Sequence, residues 1–201
     1  EMIEKTTDTI LSDGKIPFML GGEHLVTLGA VRAAAKKHKG LKILHFDAHA
    51  DLRGSYMGEE LSHATVIRRC AELLERKSVY QFGIRSMTKE EDMWAEDNVF
   101  QNKYDTCTLA DKLNEIGDSP VYLTIDLDVL DPSIFPGTGT PEPGGISFVE
   151  LISAVHKMSG VNIVACDVNE LAPHYDASGV STITACKVIR ELLLILSQKG
   201  D

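Results

Sequence analysis

No stretch of this 201-residue chain reaches the roughly 18–20 consecutive apolar residues that a membrane-spanning helix needs, so no membrane partner is expected. The start, Glu1-Met2-Ile3-Glu4-Lys5, lacks the basic-then-apolar pattern of a secretory leader. Positive charge is scarce, with 20 Lys and Arg against 30 Asp and Glu and a formal net charge of −10. That balance argues against non-specific nucleic-acid binding and is compatible with a small cationic substrate. Cysteine is sparse as well: Cys70, Cys107, Cys166 and Cys186 are widely spaced, without a Cys-x-x-Cys pair. A disulfide framework or a thiolate zinc site is therefore not expected, and a reduced, cytoplasmic protein is. Cys166, inside Asn162-Ile163-Val164-Ala165-Cys166, reads as a small core residue. Gly137-Thr138-Gly139-Thr140-Pro141-Glu142-Pro143-Gly144-Gly145 lacks the Lys-Ser/Thr of a phosphate-binding loop. Repeats, low-complexity tracts and linkers are missing too.

What the chain does have is 43% hydrophobic residues, enough for one globular domain with a full core or at most two small ones. Apolar runs alternate with amphipathic segments. Strands are predicted at Lys15–Leu20, Leu41–Phe46, Val79–Ile84, Val121–Ile125 and Ile163–Val168. Helices are predicted at Val26–His38, Ser62–Leu74, Lys89–Glu96, Thr108–Ile116, Phe148–Met158 and Thr182–Ser197. Continuous apolar strands separated by helices imply an α/β fold: a mostly parallel sheet with helices on both faces, three layers αβα. Ligands of such sheets bind beyond the carboxyl ends of the strands.

The polar residues gather there. Glu23-His24 follows the first run, Asp47-Ala48-His49-Ala50-Asp51 the second, Asp126-Leu127-Asp128 the fourth, and Glu170 the last. On an extended chain, alternate side chains share a face, about 6.6–6.8 Å apart. Asp47, His49 and Asp51 should then converge at one strand end, and Asp126 and Asp128 at another. Four carboxylates so gathered repel or protonate unless cations lie among them. Two divalent ions would match the −4 of Asp47, Asp51, Asp126 and Asp128. Hard oxygen donors with imidazoles and no thiolate favour manganese over iron, cobalt or magnesium, and a pair roughly 3.5–4 Å apart would acidify a water between them. The Gly/Pro-rich loop follows the Asp126 strand and should overhang the site. His38 and His156 read as solvent-facing and His174 carries no assigned role. His45 shares a face with Asp47 one step back, so it is read as supporting the site rather than ligating.

Gly21-Gly22-Glu23-His24, Asp47-Ala48-His49-Ala50-Asp51 and Asp126-Leu127-Asp128-Val129-Leu130-Asp131-Pro132 together resemble the three metal motifs of the ureohydrolases, the arginase/agmatinase family. Gly139-Thr140-Pro141 and Asp167-Val168-Asn169-Glu170 match as well, so the resemblance covers essentially the whole chain. It implies one manganese on His24, Asp47, Asp51 and Asp126, and a second on Asp47, His49, Asp126 and Asp128, with Asp47 and Asp126 bridging. It implies that Glu170 grips a guanidinium, that His63 protonates the leaving amine or shuttles protons, and that Thr140 contacts substrate. Asp131, before Pro132, is read as a turn residue.

Arginases of this family recognise their amino-acid substrate through a Ser-Gly-Asn type segment after the second metal motif. Here that region is Asp51-Leu52-Arg53-Gly54-Ser55-Tyr56-Met57-Gly58-Glu59-Glu60-Leu61-Ser62-His63, without such a segment. The chain is most similar to the agmatinase branch, which implies hydrolysis of agmatine to putrescine and urea, a step of polyamine biosynthesis. Arginase, guanidinobutyrase and formimidoylglutamase activities are the alternatives, with Arg53 as the one conceivable carboxylate clamp. A metallophosphoesterase would need a Gly-Asn-His motif, and no Asn here precedes a His; a non-catalytic metal-binding protein on the same fold is the remaining rival. Family members usually carry a longer segment before the Gly-Gly-x-His motif. The resemblance thus implies a single domain over residues 1–201 lacking an N-terminal segment, with one sheet edge exposed, and a homo-oligomer, trimer or hexamer, by analogy.

Overall fold

The structure, a computed structural model that describes residues 1–198, contains 13 regular elements. In chain order they are α1 (Met2–Ser12), β1 (Phe18–Leu20), α2 (Val26–Lys37), β2 (Lys42–Phe46), α3 (Val66–Ala71), β3 (Val79–Ile84) and α4 (Lys89–Asn98). There follow β4 (Phe100–Lys103), α5 (Leu109–Ile116), β5 (Val121–Asp126), α6 (Phe148–Lys157), β6 (Ile163–Asn169) and α7 (Val180–Ser197). Short 3₁₀ turns lie at His63–Thr65, Leu127–Val129 and Pro173–Tyr175.

Alternation along the strands builds the layers. Leu44, Phe46, Leu123, Ile125, Cys166 and Val168 face one side of the sheet, where they pack with Leu109, Leu151, Val155, Val188 and Leu192 of α5, α6 and α7. Their neighbours Ile43, Tyr122 and Ala165 face the other side and pack with Leu11, Leu28, Val31, Ala34 and Ile67 of α1, α2 and α3. Strands covered on both faces must be apolar at nearly every position, and each such Leu, Ile, Val or Phe contributes about 1.5–3 kcal/mol of burial. The expected α/β, three-layer architecture is what the chain adopts.

All strand pairs are parallel, in the order β1-β6-β5-β2-β3-β4. From the adjacent strands β2 and β5 the chain runs outward in opposite directions, β2 to β4 one way and β5 to β6 the other. A crevice opens above the carboxyl ends of such a pair because the flanking connections diverge. Asp47 leaves β2, Asp126 ends β5, Glu170 follows β6 and His24 follows β1, so the topology alone places the four side by side.

Capping boxes start α4 and α6 where the sequence supplies Thr88-x-x-Glu91 and Ser147-x-x-Glu150. Several boundaries differ from the expectation. The first strand shrinks from Lys15–Leu20 to Phe18–Leu20. Ser62–Leu74 becomes a 3₁₀ turn and the six-residue α3, and the last helix starts at Val180 rather than Thr182. Two elements were not anticipated. In α1 the buried positions are Thr7 and Leu11, with Ile3 half-buried. That stripe is narrow and interrupted by a threonine; it packs on α2 where Gly29 has no side chain, since a Cβ there would lie 3.0 Å from the Ile3 Cβ. The strand β4, Phe-Gln-Asn-Lys, is a polar edge strand. At the opposite edge lies β1, with Leu20 63% exposed. His156 is exposed and paired with Glu191, whereas His38 is half-buried at the end of α2, a correction to the solvent-facing expectation.

Candidate active site

Gly21, directly after β1, has no room for a side chain: a Cβ would come 1.9 Å from Asn169 Oδ1. The turn that follows seats His24, which is 1% exposed. Its Nδ1 lies 3.1 Å from Asp47 Oδ2, 3.2 Å from Asp51 Oδ2 and 3.3 Å from Asp126 Oδ2. His49 Nδ1 lies 3.0 Å from Asp128 Oδ2 and 3.5 Å from Asp47 Oδ1. Asp47 therefore offers one oxygen to each group. Asp126 Oδ1 accepts the N–H of Asp128 at 2.9 Å, so its bridging of both groups belongs to the proposal below.

The six side chains meet, but not through uninterrupted extended chain. The second strand ends at Phe46, and residues 47–50 continue beside the end of β3 through Asp47 N–H to Phe82 O and Ala50 N–H to Ser86 O. Asp51 then turns back with φ +54°. Asp128 lies in a 3₁₀ turn past β5 rather than on the strand. Left-handed backbone at a non-glycine residue is strained by about 1–3 kcal/mol. Glu170 is the second such residue at the site, with φ +63°; its N–H donates to Gly22 O at 2.9 Å and its Oε1 accepts the His24 N–H at 2.7 Å.

These side chains need added positive charge. Burial, then the charges of Asp128 and Asp47, pushes the Asp126 carboxyl well above its ordinary range. Burial and Asp47 push Asp51 up to about 7. Against burial, Asp128 and Asp47 raise His49 to about 11. Protons here do what cations would do. The decisive atom is His24 Nδ1, buried and without a hydrogen-bond partner although three carboxylates surround it. A ring nitrogen facing three anions needs positive charge, a proton of its own or a cation between them; against burial, Asp126, Asp47 and Asp51 hold the His24 imidazole well above its ordinary range. The donor set of imidazole nitrogens and carboxylate oxygens suits a hard or borderline divalent ion.

His45 also stands in a His/Asp group with His24, Asp47 and Asp51; Asp47, His49 and Asp128 form another among the described residues. Both nitrogens of His45 are engaged. Gln81 Nε2, which also donates to Ala50 O at 2.7 Å, donates to His45 Nδ1 at 2.9 Å, leaving Nε2–H to donate to Asp47 Oδ2 at 2.8 Å. His45 thus orients Asp47, as its parity suggested. Gln81 was missed at the level of sequence; its signal is a carboxamide inside a fully buried strand. Arg85 was missed too. Its guanidinium donates to the carbonyls of Asp128, Val129 and Glu142 at 2.8, 3.1 and 2.7 Å, tying the Gly/Pro-rich loop to the Asp128 turn. Asp131 accepts from Ser133, Gly144 and Gly145, which hold its carboxyl at about 2, the turn role expected of it.

Above the carboxylates is a cavity of about 260 Å³ lined by His24, His49, Asp51 and Asp126 below and by His63, Thr140, Glu170, Arg53 and Tyr56 around it. His63 begins the 3₁₀ turn that Ser62 caps, with its Nδ1 3.2 Å from Glu23 Oε1. Thr140 Oγ1 lies 3.5 Å from Asp128 Oδ2.

A family model described as the arginase family matches residues 1–195. The chain belongs to the arginase family. Among curated relatives, an agmatinase of Bacillus subtilis is 49% identical over 198 residues, spanning 96% of this chain and 68% of its own length. A guanidinobutyrase of Pseudomonas aeruginosa is 35% identical over 207 residues, 97% of this chain and 65% of its own. The crystal structure of a putative agmatinase from Clostridium difficile superposes with a TM-score of 0.95 at 47% identity, covering 99% of this chain and 74% of that one. This arginase-family chain is a ureohydrolase, as its three motifs implied, and it is most similar to agmatinases. No helix among the described residues is long and apolar enough to cross a membrane.

The buried acids of the arginase-family site make stability depend on pH. Asp51, raised from about 3.8 in an unfolded chain to about 7 when folded, binds its proton more tightly in the native state. Native stability is therefore lost as pH rises from about 4 through 7. Asp51→Asn removes that loss and tolerates the left-handed backbone. Metal-free Asp51→Asn should melt like the parent at pH 4 and above it at pH 8, by about 1–3 kcal/mol, while binding cations more weakly. Thermal unfolding at the two pH values measures this; a variant less stable than the parent at pH 8 contradicts it.

Proposed function

We propose that the chain hydrolyses agmatine to putrescine and urea at two manganese ions, one held by His24, Asp47, Asp51 and Asp126, the other by Asp47, His49, Asp126 and Asp128. The observation that carries this reading is the partnerless, buried Nδ1 of His24 amid three carboxylates at 3.1–3.3 Å. Bound there, the ions would supply a water that is ionised at neutral pH. The chain's own groups do the rest. Glu170, with Oε1 already fixed by the His24 N–H, accepts N–H donors of the guanidinium and sets its plane. Water oxygen adds to the guanidinium carbon, the bond from that carbon to the tail nitrogen breaks, and His63 passes a proton to the departing amine. The Glu23 carboxylate beside His63 steadies the imidazole for that transfer, and Thr140 contacts the substrate at the rim.

Agmatine is favoured because the segment after Asp51 lacks the Ser-Gly-Asn type sequence by which arginases hold an amino-acid head, and because the 49%-identical relative is an agmatinase. One observation favours a guanidino acid instead: Arg53, stacked over Tyr56 at 5.0 Å, lines the cavity. Buried Glu91 stands 3.6 Å from Arg53 Nε and offsets its charge, which weakens Arg53 as a carboxylate clamp. Urea release across agmatine, arginine and 4-guanidinobutyrate, with and without manganese, tests the proposal. Agmatine should give the highest kcat/KM and only with metal; faster release from arginine overturns it.

A further inference from the structure

In the proposed reaction Glu170 and the carboxylates at the cavity floor take the guanidinium, which leaves the rest of the lining to the substrate's tail. That remainder includes Arg53, Tyr56, Met87, Thr88 and Glu91. Arg53 is the one Lys or Arg among the described lining residues. A cationic tail brought beside it is repelled, whereas a carboxylate tail is attracted. Arg53 is held on three sides. Its N–H donates to Ala64 O at 3.1 Å, its guanidinium stacks over Tyr56 at 5.0 Å, and Nε lies 3.6 Å from Glu91 Oε2. Glu91 is anchored in turn. The Leu52 N–H donates to its Oε1 at 3.0 Å, and Thr88 donates to Oε2 through its N–H at 2.8 Å and its hydroxyl at 2.9 Å. The residue is buried, and no other Lys, Arg or His forms an ion pair with it among the described residues.

The fold therefore sets one buried anion against the one Lys or Arg cation of the cavity. Glutamine would serve the capping box with Thr88 as well as glutamate does. Acceptance on both oxygens takes a carboxylate, however, and the charge that comes with it lies against Arg53. Burial of Glu91 strengthens their attraction beyond its value in water, and the 40% exposure of Arg53 tempers it. We infer that Glu91 is a specificity-determining residue: by cancelling the charge of Arg53, it opens the cavity to guanidino compounds with a cationic tail in preference to guanidino acids. Agmatine ends in such a tail, an ammonium at neutral pH. With Glu91 neutral, Arg53 becomes an uncompensated cation that repels the amine and draws a carboxylate. The inference rests on the proposed function and names the charge of tail that the site selects.

The test measures kcat/KM for urea release, with manganese(II) supplied, from three guanidino compounds whose four-carbon tails differ in charge. These are agmatine, 4-guanidinobutyrate and the neutral butylguanidine. Glu91→Gln should lower the ratio of agmatine to 4-guanidinobutyrate about tenfold, mainly through KM, and added salt should shrink the shift. Arg53→Met leaves the Glu91 charge unopposed and should raise the ratio. Plain damage to the fold, such as the lost Leu52 contact, lowers all three compounds alike and leaves the ratio in place. A ratio unmoved by Glu91→Gln, or moved in one direction by both variants, overturns the inference. Should Glu91→Gln fail to fold, Arg53→Met decides alone: agmatine must gain on butylguanidine, and no gain overturns the inference. A parent that releases urea from none of the three defeats the proposed function instead, so the two failures are distinguishable.

Discussion

Asp126→Asn is expected to lower urea release by at least about 1,000-fold, because the proposed ions would supply both the nucleophile and several kcal/mol of charge stabilisation. Asp126 is buried at the end of β5, 3.3 Å from His24 Nδ1. An asparagine keeps the acceptor that receives the Asp128 N–H, so the turn after the strand should survive. What disappears is the negative charge and the second anionic oxygen beside His24. The folded protein without metal should be no less stable than the parent, since burial and two neighbouring carboxylates already disfavour the Asp126 anion. Activity across a manganese titration, paired with metal-free melting temperatures, checks both halves. Activity within tenfold of the parent would mean that Asp126 does not hold an ion.

Glu170→Gln is expected to reduce kcat/KM for agmatine while leaving the cation content intact. The Oε1 bond to the His24 N–H can be kept by the amide oxygen, which forces the amide nitrogen toward the guanidinium. A donor then meets donors where an anion met a cation. Losing a charge-assisted contact of this kind costs about 2–4 kcal/mol, or roughly 30- to 1,000-fold. Because the substrate is misoriented rather than the nucleophile removed, metal binding and stability should match the parent. Steady-state kinetics with a metal assay on the same preparation separates this outcome from that of Asp126→Asn; loss of metal in Glu170→Gln would show that the glutamate serves the centre rather than the substrate.

The layers were legible because strands covered on both faces cannot hide their apolar character, and Leu44, Phe46, Leu123 and Ile125 announce themselves. The elements that escaped notice bury little. The first helix offers Ile3, Thr7 and Leu11, and the edge strand β4 is mostly polar. At the site, the clustering of Asp47, His49, Asp51, Asp126 and Asp128 was legible from acids placed at strand ends, where buried charges need partners, whereas the place of His24 among them came through the resemblance to the ureohydrolase motifs. The means of their meeting was not. Period-two spacing implied straight strand ends, whereas a left-handed Asp51 and a 3₁₀ turn at Asp128 bring the oxygens together. Residues that act through others were the least visible. Gln81 and Arg85 work by contacts 31 to 57 residues away in sequence, which no local pattern reports.

The central claim is that these six side chains are the ligand set of a two-ion centre. Anomalous X-ray diffraction at the manganese edge, from crystals grown with manganese(II), addresses it most directly. Two peaks per chain are predicted, one among His24, Asp47, Asp51 and Asp126 and one among Asp47, His49, Asp126 and Asp128. No peak within this cluster, or peaks held by other residues, would contradict the account.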